Sequence, residues 1–151
     1  MGDLRLQELS AKTIVAANQL SVRRGQEQFV TPPSYAIADA YIDPLTSWPR
    51  VVVDGDRVVG FIRGNFDADA VHDEFRSCIW RVSVAGDAQG QGVGRFAVHA
   101  LAEEAKSRGF DRVTALWEPG ADGPEKFFLS VGFVIVGQTQ YGENIGALSL
   151  E

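Results

Sequence analysis

Between Val84 and Arg95 the chain reads Val-Ala-Gly-Asp-Ala-Gln-Gly-Gln-Gly-Val-Gly-Arg, with Gly90, Gly92 and Gly94 alternating just before a strongly helical run. Glycines at such a junction let backbone amides approach a ligand that side chains would otherwise hold off. Those amides, with a helix dipole equivalent to about half a positive charge at that end, make an anion site suited above all to phosphate. A tight strand-to-helix turn needs one glycine; three, followed by Arg95, exceed that need. A dinucleotide fingerprint requires a glycine three residues after Gly92, where Arg95 stands. A P-loop requires Lys-Ser/Thr at the helix start, where Gly94 is followed by Arg95 and Phe96. Neither phosphate motif fits.

Nothing else in the chain offers a nucleophile or a metal. There is no serine elbow or histidine dyad, and Cys78, the one cysteine, lies in an apolar strand where a thiol is inert and buried. His72 and His99 stand far apart, with no Cys/His cluster at zinc spacing. The acidic group Asp67, Asp69, Asp73 and Glu74 around His72 reads either as a solvated loop or as an attractor of cations.

The elements that must position the glycine segment follow from periodicity. Leu4, Leu6 and Leu9 mark a first strand, Ser10 caps a helix holding Ile14, Val15 and Leu20, and Ser34 caps a second through Tyr41. Runs at Pro49–Val53 and Arg57–Ile62 around Asp54-Gly55-Asp56 predict a hairpin. The run from Glu74 to Val84 alternates as a fourth strand, with Cys78, Trp80, Val82 and Val84 on one face and Phe75 and Ile79 on the other. Gly92 to Arg108 carries the clearest helix, stopped by Gly109. Val113, Ala115 and Trp117 mark a fifth strand, Pro124 opens a short helix to Val131, and two strands near Phe133–Val136 and Ile145–Leu150 finish the chain.

With 151 residues, 45% hydrophobic and 23% charged, the chain fits one globular domain over 1–151. Twenty acidic against fourteen basic residues give a net charge of −6. That balance, with a pI near 4.9, is opposite to the basic footprint of nucleic-acid or anionic-membrane binding. No apolar run approaches the roughly 20 residues of a membrane helix, and Asp3 and Glu8 stand where a signal peptide would be basic, so the expected setting is a reducing cytoplasm.

Gln89-x-x-Gly92-x-Gly94 after a strand-ending Val84, the element order, and Phe127-Phe128-x-x-x-Gly132-Phe133 together resemble the GNAT superfamily of N-acetyltransferases from end to end. Gln28-Phe29-Val30, the helix from Tyr35 to Tyr41, Trp48-Pro49-Arg50 and Trp80-Arg81 look like its polyamine branch. The resemblance implies a single α/β domain with a mixed, mostly antiparallel sheet of about six to seven strands flanked by about four helices, strands four and five splayed. It also implies acetyl-CoA as co-substrate without a metal, a small cationic amine as acceptor, and a homodimer.

Carried onto this chain, the resemblance implies that the amides of Gln89, Gly90, Gln91, Gly92, Val93 and Gly94, with Arg95, hold the coenzyme A pyrophosphate, and that Val82, Ser83 and Val84 pair with the pantetheine arm, with Phe127 and Phe128 beside it. Lys126 adds positive charge nearby. The family's general-acid tyrosine position is Phe128 here, which leaves water or Tyr141 to protonate the thiolate, or a catalytically silent acyl-CoA-binding module. Glu74 and Glu118 are the general-base candidates, against a reading as solvated strand-end carboxylates. Phe29 and Trp48 are acceptor-pocket candidates and Tyr35 and Tyr41 weaker ones, with core packing as the alternative for each. A plain α/β scaffold without a ligand is the remaining reading.

Overall fold

The computed structural model describes residues 4–18, 20, 44–120 and 123–150. Strands β1 (Leu4–Glu8), β2 (Ser47–Asp54), β3 (Arg57–Phe66), β4 (Ser77–Val84), β5 (Arg112–Trp117), β6 (Val134–Gln138) and β7 (Asn144–Ser149) form one sheet in the order β1-β2-β3-β4-β5-β7-β6. Only β4 and β5 run parallel, because the crossover helix α2 (Val93–Ser107) lies between them in the chain. Among the described residues the other α-helices are α1 (Ile14–Asn18) and α3 (Glu125–Ser130). The expected second helix from Ser34 and the segment Gln28-Phe29-Val30 lie outside the described residues.

Helix α2 buries Val93, Ala97, Val98, Leu101 and Ala105 against Val52, Val59, Ile62 and Ile79 of the sheet. The sheet can come close because β3 carries Gly60 and Gly64 beneath the helix, where a Cβ would stand 2.9 Å from Val93 Cγ1 and 2.8 Å from Leu101 Cδ1. On the opposite face Ala17 of α1 packs with Val51, Val53 and Phe61. The two faces are thus read from alternate residues of β2 and β3, except at Val59, which a register shift between Val52 and Val53 leaves as an extra residue on the α2 face.

Three boundaries differ from the sequence expectation. β4 begins at Ser77, since Asp73–Phe75 form a 3-10 turn rather than strand. The first helix is short, beginning at Ile14 after a turn in which Ser10 O accepts from Thr13 N and Ile14 N. Pro124 is the N-cap of α3, not its first residue.

The faces of β4 are also redistributed. Arg63 pairs with Arg81 and Gly64 with Ile79, so Trp80 is the extra residue of a β-bulge. Ile79, Val82 and Val84 therefore all join the α2-side core, while Trp80 turns to Arg63 and away from that core. The unbroken Cys78-Trp80-Val82-Val84 alternation expected from the sequence does not hold, because one added residue inverts the facing of everything on one side of it.

Candidate active site

The parallel pairing of β4 and β5 consists of two rungs, Cys78 with Thr114 and Ile79 with Ala115. Beyond them β4 continues to Val84 and β5 to Trp117 without pairing, so the strands diverge toward their C-terminal ends. Ala85 N donates to Val59 O at 2.9 Å, which makes that rung hydrogen-bonded and the neighbouring Gly60–Val84 and Ile62–Val82 pairs non-hydrogen-bonded. In an antiparallel ladder this parity points the N–H and C=O of Val82 and Val84 away from β3, into the gap. The gap offers an extended ligand the edge of a strand.

Its open end meets the N-terminus of α2. Gly90 and Gly92 have φ of 80° and 90°, left-handed values that glycine takes without strain, and both lie in open space. No side chain caps α2, and its first helical bond runs from Phe96 N to Gly92 O. The amides of Val93, Gly94 and Arg95 are left to point out of the helix end. Around them the side chains are already engaged. Gln89 donates to Val84 O at 3.3 Å across the mouth of the gap, and Gln91 donates to Asp87 O at 3.4 Å. Arg95 donates to Ser130 O at 3.0 Å, tying α2 to the end of α3. Asp87, beside this glycine loop, is paired to Arg57 of the β2–β3 hairpin at 2.5 Å. That contact was invisible in the glycine motif.

The third glycine has a different reason. A Cβ on Gly94 would lie 2.8 Å from the Phe127 ring, so α3 rests directly on the first turn of α2. Next to it Phe128 is buried, stacked on Trp117 at 5.0 Å and 13° and edge-on to Phe133. Trp117 Nε1 donates to Glu125 Oε1 at 3.1 Å, and Asn144 Nδ2 donates to the same oxygen at 2.7 Å. The end of β5, the start of α3 and the start of β7 are thereby held as one wall, a network with no motif in the sequence.

The remaining candidates are spread along the gap. Glu74 lies on the 3-10 turn at the closed end, where its carbonyl accepts from Thr114 Oγ1 at 2.5 Å. Glu118, one residue past β5, is exposed at the open end. The β6–β7 turn carrying Tyr141, 82% exposed, reaches that same end because Trp117 pairs with Asn144. The two carboxylates therefore stand at opposite ends and do not converge.

Trp48, expected at an acceptor pocket, is instead 4% exposed in the core, edge-on to Phe66 at 6.3 Å with the Arg50 guanidinium over its ring. Its place in β2 opposite Gly64 leaves it room to turn inward. Phe29, Tyr35 and Tyr41 lie outside the described residues. Cys78 is buried, and burial pushes its thiol up to about 12, in keeping with an inert side chain. Burial likewise pushes Arg81 down to about 10.

These features fit coenzyme A. An uncapped helix start suits phosphates and two peptide units facing the gap suit an extended arm, while Ser83, between them, is buried on the face away from α2. No helix among the described residues is long and apolar enough to cross a membrane.

Residues 14–133 match the family model of the Acetyltransferase (GNAT) family. Among solved structures, the fold is similar to that of a protein described as a GNAT-family acetyltransferase from Desulfovibrio desulfuricans, with TM-score 0.78 and 11% identity over 99% of this chain and 100% of that one. The ribosomal-protein-S18-alanine N-acetyltransferase from Escherichia coli gives a TM-score of 0.70 and 16% identity over 99% and 95% of the two chains. The PaiA N-acetyltransferase from Thermoplasma acidophilum, solved in complex with coenzyme A, gives 0.72 and 11% over 97% and 99%. At such identities the likeness carries the fold alone. No curated protein sequence matches the chain significantly.

Proposed function

Because the chain belongs to the GNAT family of acetyltransferases, whose members take their acetyl group from acetyl-CoA, we propose that it moves that group directly to a primary amine of a small cationic acceptor. The observation that carries this reading is the two-rung β4–β5 pairing that opens onto the uncapped start of α2. Acetyl-CoA supplies an activated thioester; the chain supplies position and charge. In this proposal the amides of Val93, Gly94 and Arg95 hold the phosphates, and the peptide units of Val82 and Val84 pair with the arm and orient the thioester at the closed end of the gap.

An amine must lose a proton to attack, and a thiolate must be able to leave. Glu74, on the turn whose Phe75 packs against Trp80 at 6.1 Å, takes the amine proton, directly or through water. Glu118 and Tyr141 stand by the open end, away from the thioester, so water protonates the departing thiolate in place of a hydroxyl at Phe128, or Tyr141 does so only if its exposed turn reaches in along the gap. No covalent enzyme intermediate is needed, in keeping with the buried, strongly protonated Cys78.

The polyamine class of acceptor remains part of the proposal only as a member of a panel. Of the residues that suggested it, Trp48 is buried, and Asp73 is held by Arg76 and Arg112 rather than offered to a cation. A cytoplasmic setting, suited to the free thiol, and a homodimer of twice 16.4 kDa complete the reading, the latter measured by light scattering.

Thiol release from acetyl-CoA with a panel of primary amines tests the activity; a Glu74→Gln enzyme with an unaltered pH–rate profile would remove the proposed role of Glu74, and an altered profile in Glu118→Gln instead would move the general base to Glu118. The burial of Phe128 among aromatic rings favours one competing reading, a silent acyl-CoA-binding module. Tight coenzyme A binding without turnover on any amine would establish it.

A further inference from the structure

Trp80 is the tryptophan this protein leaves open. It is 49% exposed, whereas Trp48 and Trp117 are 4% and 2% exposed. It is also the bulged residue of β4, adjacent to Ile79, the last residue paired with β5. Bulges re-aim side chains, and they concentrate beside functional clefts. From Val84 at the mouth of the gap to Trp80 the strand advances four residues, about 13 Å at the usual rise, so Trp80 marks the far end of any arm lying along β4.

The surroundings of the ring restrict what it can recognise. The Arg63 guanidinium lies over it at 4.7 Å from the ring centre. Phe75 packs at 6.1 Å and 42°, and His72 meets Phe75 edge-on at 6.1 Å. One face is therefore covered by a cation, and the flank is aromatic. A ring with a guanidinium on one face is a poor seat for an ammonium on the other, since repulsion across the ring opposes the cation–π attraction. The same open surface suits an apolar or aromatic group, which gains stacking and burial with no such opposition.

Resting on the acetyltransferase reading above, we infer that Trp80 is a specificity-determining residue, and that the acceptor is a primary amine carrying an apolar, preferably aromatic, group within a few bonds of the nitrogen. Trp80 receives that group and so aims the amine at the end of the β4–β5 gap. A linear polyamine, charged along its length, has no such group.

Two probes separate these classes: 2-phenylethylamine and spermidine. In steady-state assays with saturating acetyl-CoA, the wild type is expected to use phenylethylamine with a KM at least ten-fold below that for spermidine. Trp80→Ala should raise the phenylethylamine KM at least ten-fold with kcat changed less than three-fold and leave spermidine unaffected, and Trp80→Phe should recover most of the loss. A preference for spermidine, or a Trp80→Ala effect that is absent or equal for both amines, overturns the inference. If no amine of the panel is acetylated, the function reading fails while this one is still decided by binding. Phenylethylamine titrated into coenzyme A-saturated protein should quench a tryptophan signal that Trp80→Phe lacks; absence of that quench overturns it. Circular dichroism of both variants checks that they fold.

Discussion

The ring of Phe127 lies against Gly94, with ring carbons 2.8 and 2.9 Å from where a Cβ would stand. This contact sets how closely α3 approaches the first turn of α2, and hence the width of the open end of the gap. Gly94→Ala forces the ring aside and is expected to cost about 1–3 kcal/mol, typical of overpacking. In a domain of this size that lowers Tm by about 2–4 °C per kcal/mol. Adding Phe127→Leu should restore part of the loss, and coenzyme A affinity should fall with Gly94→Ala and partly return in the double variant. Thermal melts and calorimetric titration of the three proteins check both effects; strictly additive losses would refute the contact.

Phe128→Tyr adds a hydroxyl beside the Trp117 stack. If the lost general acid limits turnover, kcat for the wild type's best amine should rise at least ten-fold, toward the roughly 10²–10⁴-fold that a positioned proton donor contributes. A lower Tm with no gain in kcat would mean that the hydroxyl is trapped among the rings, and would locate the proton donor elsewhere.

Glu125 accepts hydrogen bonds from the indole of Trp117 and the amide of Asn144, both on buried residues. Glu125→Ala leaves two buried donors without that acceptor and should cost about 1–3 kcal/mol. Glu125→Gln keeps an acceptor oxygen and should cost less than half as much. Urea denaturation of the three proteins measures the difference, and equal losses in Ala and Gln would point to charge rather than hydrogen bonding.

Cys78 makes stability depend on alkaline pH. Its thiol titrates ordinarily at 9.0 and is raised by burial to about 12 in the fold. Below pH 9 both states keep the proton. Between these values the unfolded chain releases it and the folded chain does not, so this site's contribution is lost as pH rises through that window. The stability advantage of wild type over Cys78→Ala should therefore shrink above pH 9, by at most about 1.4 kcal/mol per pH unit. A difference that stays flat from pH 8 to 11 would contradict the shift.

Most elements were legible because their signals are local. The Asp54-Gly55-Asp56 hairpin, the helix between Gly92 and Gly109, and the short helix before Gly132 are each read from residues that touch one another in the chain. The glycine segment was legible as an uncapped helix start for the same reason, since the amides it exposes belong to consecutive residues. The acceptor side was not. Trp48 and Trp80 look alike in sequence as aromatic neighbours of an arginine, yet one is core and the other open. Trp80-Arg81 gives no local hint of the bulge, since an apolar residue followed by a polar one is ordinary strand alternation.

Local spacing by itself determined a single α/β domain with a glycine-rich turn between a strand and its crossover helix, because periodicity and glycine conformations are properties of neighbouring residues. Tertiary pairing decided the rest. The bulge at Trp80 exists only against β3, the gap exists because β5 leaves β4 after Ala115, and Gly94 is explained by Phe127, far along the chain. Each depends on which distant strand or helix comes to lie alongside, information that a one-residue shift in register would erase.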